Sequence, residues 1–106
     1  MFVRKVTTPL KPDSVSKFSL MMEQEVIPLL RKQDGFQDEL TFFAPSEDAV
    51  TSISLWDKAS DAESYSQKTF PVVLNMLAAL FDGTPKVDTY EVLNSTYHKI
   101  AAAVAA

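Results

Sequence analysis

The sequence has no cysteine and only two glycines among its 106 residues. Without cysteine there is no disulfide framework, no thiol nucleophile and no cysteine-based metal site. Two glycines cannot form a glycine-rich phosphate-binding loop. No apolar run approaches roughly 20 residues, so we expect no membrane-spanning helix. No basic segment precedes an apolar run near the start, so we expect no signal peptide and a cytoplasmic location.

Basic charge is also scarce, because the net charge is −4 and the lysines and arginines form no cluster. A chain of this charge repels phosphate backbones, which excludes nucleic acid as the main partner. The acidic residues are scattered through predicted caps and turns, without the spacing of metal ligands. We therefore predict no metal, no cofactor and no membrane partner.

The residues that are present predict one domain of alternating strands and helices. Residues 2–8 form a strand that ends at Pro9. Apolar residues then recur at three- and four-residue spacing, which predicts a helix: Val15, Phe18, Met22, Val26 and Leu29. Pro28 lies inside this helix and should bend or break it over residues 24–28. Gly35 marks its end.

The second half repeats the pattern after a hairpin of strands 36–44 and 49–56. A helix follows Trp56, is interrupted at Phe70 and Pro71, and ends at residues 82–83; residues 86–94 form the last strand. The order β-α-β-β-α-β predicts a ferredoxin-like α+β domain over residues 1–95, a four-stranded antiparallel sheet with its helices on one face. Residues 96–106 form an alanine-rich tail, for which we predict a helix.

Large apolar residues alternate to both faces of the predicted strands. Phe42 and Phe43 are consecutive and must point to opposite faces, and Ile53 and Leu55 oppose Trp56. A sheet face that no helix covers, yet is apolar, usually marks an interface. We therefore expect a homodimer that packs sheet on sheet. The alternative is a monomer whose C-terminal helix covers this face.

Three stretches resemble the antibiotic biosynthesis monooxygenase-like family, whose members are dimeric α+β barrels: "VIPLLRKQDGFQDEL", "ISLWDKASDAESYSQ" and "TPKVDTYEV". The resemblance covers about residues 2–94. It rests on a helix that ends in a proline-containing turn before "GF", and on a strand that ends in tryptophan and an acidic residue. The family includes cofactor-independent quinone-forming oxygenases, haem-degrading enzymes and members with no established activity.

The resemblance implies a substrate pocket lined by Trp56, Tyr65 and Ser52, without identifying a catalytic residue. Trp56 matches the strand-end tryptophan of the family. Ser52 stands where the quinone-forming oxygenases carry asparagine, and Ala62 where they carry tyrosine, so Tyr65 is the nearest substitute. Haem degradation is not expected, because the first strand has no asparagine and the second helix no histidine. The only histidine, His98, lies in the tail.

Each pocket candidate also has a purely structural interpretation. Trp56 and Tyr65 could be packing residues at the strand–helix junction, and Ser52 could lie on a solvated rim of the pocket. Two functional hypotheses follow. One is a cofactor-independent monooxygenase, or a related enzyme, that acts on an apolar or aromatic small molecule. The other is a non-catalytic small-molecule-binding or stress-related dimeric protein, because fold alone does not determine function.

Overall fold

The computed structural model describes residues 1–100 and contains one four-stranded sheet with helices on one face. The strands are β1 (Phe2–Pro9), β2 (Phe36–Ala44), β3 (Ala49–Trp56) and β4 (Lys86–Glu91). They lie in the order β2-β3-β1-β4, and every neighbouring pair is antiparallel. The predicted ferredoxin-like α+β fold is confirmed.

The first connection is one helical run whose winding changes in the middle. It comprises α1 (Val15–Met21), a π-helical segment (Met22–Val26) and α2 (Ile27–Leu30). Pro28 has no N–H to donate, and the π-helical segment just before it accommodates this loss. The predicted irregularity over residues 24–28 is therefore present, and the chain continues without a sharp break.

The π-helical segment also aligns the buried side of this run. Its buried residues are four apart: Phe18, Met22, Val26 and Leu30. In an ideal α-helix a four-residue step rotates about 40° past a full turn, so a long series would leave the core. The wider π turn offsets that rotation, and all four side chains reach the sheet.

The second connection is broken where the sequence predicts. It comprises α3 (Ala59–Lys68), α4 (Phe70–Leu77) and a 3-10 turn (Ala78–Leu80). Pro71 lies in the first turn of α4, where a missing N–H costs nothing because that donor has no partner inside the helix. The break lets Tyr65 and Phe70 approach each other from successive helices, with ring centroids 6.0 Å apart.

The last strand is shorter than predicted and ends at Glu91 instead of residue 94. β4 is an edge strand that pairs only with β1, and Glu91 already faces Phe2, the first residue of β1. Beyond it, only the Val92 N–H continues the pairing, to the Met1 carbonyl oxygen at 2.9 Å. The ladder stops because its partner strand has ended.

Residues 92–100 contain no helix. Residues 101–106, the other part of the predicted tail helix, lie outside the described residues. The boundary between domain and tail at residue 95 therefore stays a prediction. None of the helices in the described part of the chain has the length and apolarity that crossing a bilayer requires.

Strand β2 contains a β-bulge that determines which of its side chains face the helices. Phe36 pairs with Trp56, but Asp38 pairs with Leu55, so Gln37 is the extra residue. After the bulge, Glu39, Thr41 and Phe43 pair with helix-facing residues of β3 and share their face. Asp38, Leu40 and Phe42 lie on the opposite, open face.

We predict that Gly35→Ala lowers the free energy of unfolding by about 1–3 kcal/mol. Gly35 has φ +74°, and a Cβ there would lie 2.1 Å from Oδ2 of Asp61. Its carbonyl oxygen also accepts the Asp57 N–H at 2.8 Å, which fixes the turn beside Trp56. Urea unfolding measures the change. The control is Asp34→Ala, an exposed neighbour with ordinary φ, which should stay within about 0.5 kcal/mol of wild type; equal losses in both variants would contradict the prediction.

Candidate functional site

A cavity of about 60 Å³ lies between the helix-facing side of the sheet and the helices. One water molecule needs roughly 10–15 Å³ of such space, so the cavity holds a few water-sized groups. The helices supply an apolar wall, which includes Phe18, Met22, Val26, Leu30, Val73, Leu74 and Leu77. The strands and α3 supply its polar side chains: Arg4, Thr8, Glu39, Ser52, Ser54 and Tyr65.

The pairing of the strands places Arg4, Ser54 and Glu39 in one row across the sheet. Ser54 is the register partner of Arg4 on β1 and of Glu39 on β2. A cation and a carboxyl group therefore flank a small side chain on the same face. Because serine fills little volume, this row leaves space under the helices, and the space is lined by charge at both ends.

Glu39 belongs to a short chain of hydrogen bonds on the cavity floor. The Thr41 hydroxyl donates to the Glu39 carboxyl, and Oγ1 of Thr41 lies 3.0 Å from Oγ of Ser52. Burial raises the pKa of Glu39, and the hydrogen bond from Thr41 offsets part of that shift. A carboxyl group with a raised pKa in an apolar cavity is a candidate proton acceptor.

A cluster of aromatic rings closes the end of the cavity near α3. The Trp56 centroid lies 5.0 Å from that of Tyr65 and 5.5 Å from that of Phe36. Trp56 is fully buried, and its indole N–H donates to Oγ of Ser54 at 2.9 Å. The tryptophan therefore lies behind the cavity wall and orients Ser54, one of the residues that line it.

Arg4 extends from the central strand β1 into this aromatic cluster. It is only 3 % exposed, and its Cζ lies 4.3 Å from the Phe70 ring centroid and 5.2 Å from that of Tyr65. Burial lowers the pKa of the guanidinium and the nearby Tyr65 raises it, but arginine stays protonated in proteins. The site thus contains a permanent cation under two aromatic rings.

Tyr65 lines the cavity, and the guanidinium of Arg4 lies near its ring. The pKa of Tyr65 is raised to about 12, chiefly by burial; Arg4 opposes this rise and Glu39 adds to it. At neutral pH the phenol is therefore protonated and serves as a hydrogen-bond donor. Its ring position is fixed by Trp56 on one side and Phe70 on the other.

The structure brings two of the three sequence-predicted pocket residues to the cavity and places the third beside it. Ser52 and Tyr65 line the cavity, whereas Trp56 packs behind Ser54. Sequence reasoning did not identify Arg4 and Glu39. Arg4 had a signal, since it alternates with Phe2 and Val6 on one face of its strand. No such sequence signal marked Glu39, because the bulge at Gln37 reverses the alternation of side chains between the two faces of β2.

A groove of about 360 Å³, here called the outer groove, adjoins the cavity between α1 and β2. Four residues line both spaces: Phe18, Met22, Glu39 and Val50. Met22 is flexible and unbranched, so its movement would connect the two spaces at low cost. The outer groove therefore adjoins the cavity at Glu39, where a ligand larger than the cavity has room to extend.

His98 lies away from the cavity, in contact with Asp38 on the open face of the sheet. The acidic partner is sixty residues distant in sequence, which explains why sequence reasoning did not connect the pair. Within residues 1–100 no group of three or more histidine, aspartate or glutamate side chains is arranged to hold a metal ion.

The fold is shared with several solved structures, although no family model and no curated protein matches the sequence. A Nitrosomonas europaea protein of unknown function, NE2512, has a TM-score of 0.75 at 15% identity, over 90% of this chain and 91% of that one. A monooxygenase from the gene ActVA-Orf6 of Streptomyces coelicolor, in complex with nanaomycin D, has a TM-score of 0.76 at 19% identity, over 89% and 88%.

A third similar structure is described as a putative antibiotic biosynthesis monooxygenase from Bordetella bronchiseptica. Its TM-score is 0.72 at 13% identity, over 86% of this chain and 96% of that one. At these identities the likeness is one of fold. The chain therefore has the α+β fold of the proteins named antibiotic biosynthesis monooxygenases, as its three sequence stretches indicated, and the fold does not specify an activity.

We predict that Tyr65→Phe removes part of the alkaline loss of stability. The pKa of Tyr65 is raised from 10.0 to about 12 in the fold, so the neutral phenol stabilises the folded state. That contribution is fully present below pH 10 and is lost as the pH rises from 10 to 12. Thermal melts between pH 8 and 12 should therefore fall more steeply for wild type than for Tyr65→Phe. Tyr97→Phe, at a tyrosine that is 84% exposed, should follow wild type; identical slopes in all three proteins would contradict the assignment.

Proposed function

We propose that the protein is a cofactor-independent oxygenase that acts on a small, flat, apolar molecule bound across the cavity and the adjoining outer groove. The observation that carries the proposal is Glu39, a carboxyl group with a raised pKa beside a largely apolar wall. Such a group can accept a proton from carbon more readily at neutral pH than an exposed carboxylate can. The likeness in fold to proteins named monooxygenases supports this class of reaction.

The substrate would carry a CH₂ group beside a carbonyl or within a phenolic ring system. Glu39 takes one proton, and the electron pair stays on carbon as a carbanion. The carbanion reduces O₂ as a carbon–oxygen bond forms, the resulting peroxide anion takes the proton back from Glu39, and the hydroperoxide loses water. In sum, CH₂ and O₂ become C=O and H₂O, so the substrate supplies all the electrons. Tyr65 and Ser52 line the cavity as hydrogen-bond donors for the carbonyl oxygen.

The alternative is a non-catalytic small-molecule-binding or stress-related protein with the same cavity. One feature favours it: the Trp56 N–H is already donated to Ser54 and is not available to a substrate. A binding protein needs only the apolar wall and a few polar groups. The two proposals differ in whether Glu39 changes the rate of a reaction or only the affinity for a ligand.

We predict that the protein accelerates the uptake of O₂ by anthrone, an aromatic ketone with one reactive CH₂. An oxygen electrode should record one O₂ consumed per quinone formed, above the rate without protein. Glu39→Gln should lower kcat roughly 100-fold or more, because it removes the proton acceptor. The matched control is Asp38→Asn, the adjacent residue on the open face, which should keep the wild-type rate. Binding of anthrone without uptake of O₂ would establish the non-catalytic alternative.

We also propose that two copies pair through the open face of the sheet to form a dimeric α+β barrel. Three large side chains on that face are about half exposed in the single chain: Leu40 at 58%, Tyr90 at 49% and Phe42 at 48%. Ile53 and Leu55 on β3 and Val3 on β1 lie between them, so apolar side chains connect β2 to β4. Burying such a surface against its copy favours association. The cytoplasmic location stays a prediction.

We predict that wild type has twice the chain mass by light scattering at low micromolar concentration, and that Phe42→Glu has the mass of one chain. A carboxylate at that position would be buried without a partner in the dimer. Leu20→Glu is the control, since Leu20 is 50% exposed on α1, on the other side of the sheet. It should remain dimeric. A wild-type protein of single-chain mass would contradict the proposed dimer.

A further inference from the structure

Arg4 is a buried cation that has no acidic partner in the described part of the chain. It is 3 % exposed, yet its one side-chain hydrogen bond goes to Oγ of Ser66, at 3.4 Å. The ion pair found among residues 1–100 joins His98 and Asp38, on the other side of the sheet. Burying a charge without a counter-charge is costly, so buried arginines are usually paired.

Two carboxyl groups line the same spaces as Arg4, one in the cavity and one in the groove at its edge, and both are engaged elsewhere. Glu39 accepts the hydrogen bond of Thr41. Glu63 accepts a hydrogen bond from Nε2 of Gln67 at 3.3 Å. Neither forms an ion pair with the guanidinium. Residues 1–100 therefore do not supply the anion that this position would normally contain.

The guanidinium is nevertheless held in a defined position. Phe70 and Tyr65 lie at 4.3 and 5.2 Å from its central carbon, and cation–π contacts of this kind orient a planar cation. Arg4 also sits on the central strand β1, which pairs on both sides. A cation held this rigidly loses little further conformational entropy when it binds an acceptor.

The guanidinium N–H groups of Arg4 that have no acceptor face open space. Among the described residues no buried side-chain nitrogen or oxygen atom lacks a hydrogen-bond partner, so the unpartnered guanidinium nitrogens are not sealed in the core. Arg4 lines the cavity and also an edge groove of about 260 Å³ between α3 and β4. A ligand in the cavity can therefore present an oxygen atom to these donors.

We propose that Arg4 binds an anionic oxygen of the ligand and makes the cavity selective for flat apolar molecules that carry an acidic oxygen. The inference deepens the proposed function, on whose cavity it rests, by naming the substrate class. The planar guanidinium can donate two parallel hydrogen bonds to a carboxylate, or a pair to one phenolate or enolate oxygen. The carbanion formed beside a carbonyl places its charge on that oxygen, where Arg4 stabilises it.

The test uses three probes of the same ring size: 2-naphthoate, the neutral 2-naphthamide and 2-naphthol. Calorimetry of the full chain should show that 2-naphthoate binds at least 10-fold more tightly than 2-naphthamide. Equal affinities of these two probes would overturn the proposal, because the cavity would then not distinguish charge. The absorption spectrum of bound 2-naphthol reports whether the site ionises a phenol at neutral pH, its proton passing to the buffer.

Arg4→Met keeps the apolar stem but removes the charge. It should lower the affinity for 2-naphthoate roughly 10- to 100-fold and change the affinity for 2-naphthamide less than about 2-fold. Arg4→Lys keeps the charge without the planar fork and should retain part of the preference. The chain's other arginine gives the control, Arg31→Met, which should bind both probes like wild type. Melting curves check that each variant folds.

Two positive outcomes distinguish the source of the anionic oxygen. If 2-naphthoate binds in an Arg4-dependent way and bound 2-naphthol stays un-ionised, the ligand is a carboxylate. Arg4-dependent ionisation of 2-naphthol identifies a phenol or enol, the form that the oxygenase chemistry requires. If Arg4→Met keeps the wild-type preference for 2-naphthoate, the proposal is wrong. These readouts involve no O₂, so they hold or fail separately from the oxygenase reaction and its dependence on Glu39.

Discussion

The buried guanidinium of Arg4 constrains how the helices pack on the sheet. A cation on the central strand cannot be covered by aliphatic side chains alone, and here it is covered by the rings of Phe70 and Tyr65. Those rings come from two successive helices, α4 and α3, so the chain must turn between them at Thr69. Pro71, in the first turn of α4, supports that turn. The interruption of the second helix and the position of the charge in the cavity therefore depend on each other.

The same arrangement explains why small polar residues occupy the middle of β3. Ser52 and Ser54 face the helices between larger residues, Val50 and Trp56. A larger side chain in the place of Ser54 would fill the space between Arg4 and Glu39. The Trp56 N–H fixes the Ser54 hydroxyl, and Thr41 connects Ser52 to Glu39. Packing density is given up at these two positions, which is typical of a binding cavity.

The fold could be predicted from the sequence because its signals are local. The period changes between strand and helix, Pro28 and Pro71 mark the irregular turns, and Gly35 ends the first helical run. The cavity was predicted only in part. Ser52 and Tyr65 were found through a resemblance, but Arg4 resembles an ordinary charged residue of a half-exposed strand until the helix that covers it is known. The true end of β4 depends on where β1 begins, which is a contact distant in sequence.

The bulge at Gln37 has a consequence for how such a protein can change over generations. If the codon of Thr41 were deleted, β2 could lose its bulge, and residues 37–40 would each move one place along β3 and exchange faces. Asp38 and Leu40 would then oppose Ser54 and Ser52 and turn toward the helices in the places of Glu39 and Thr41, while the residues from Phe42 onward kept their partners on β3. One deletion event could thus replace the whole chemistry of one cavity wall without a new fold, a larger step than any point substitution offers.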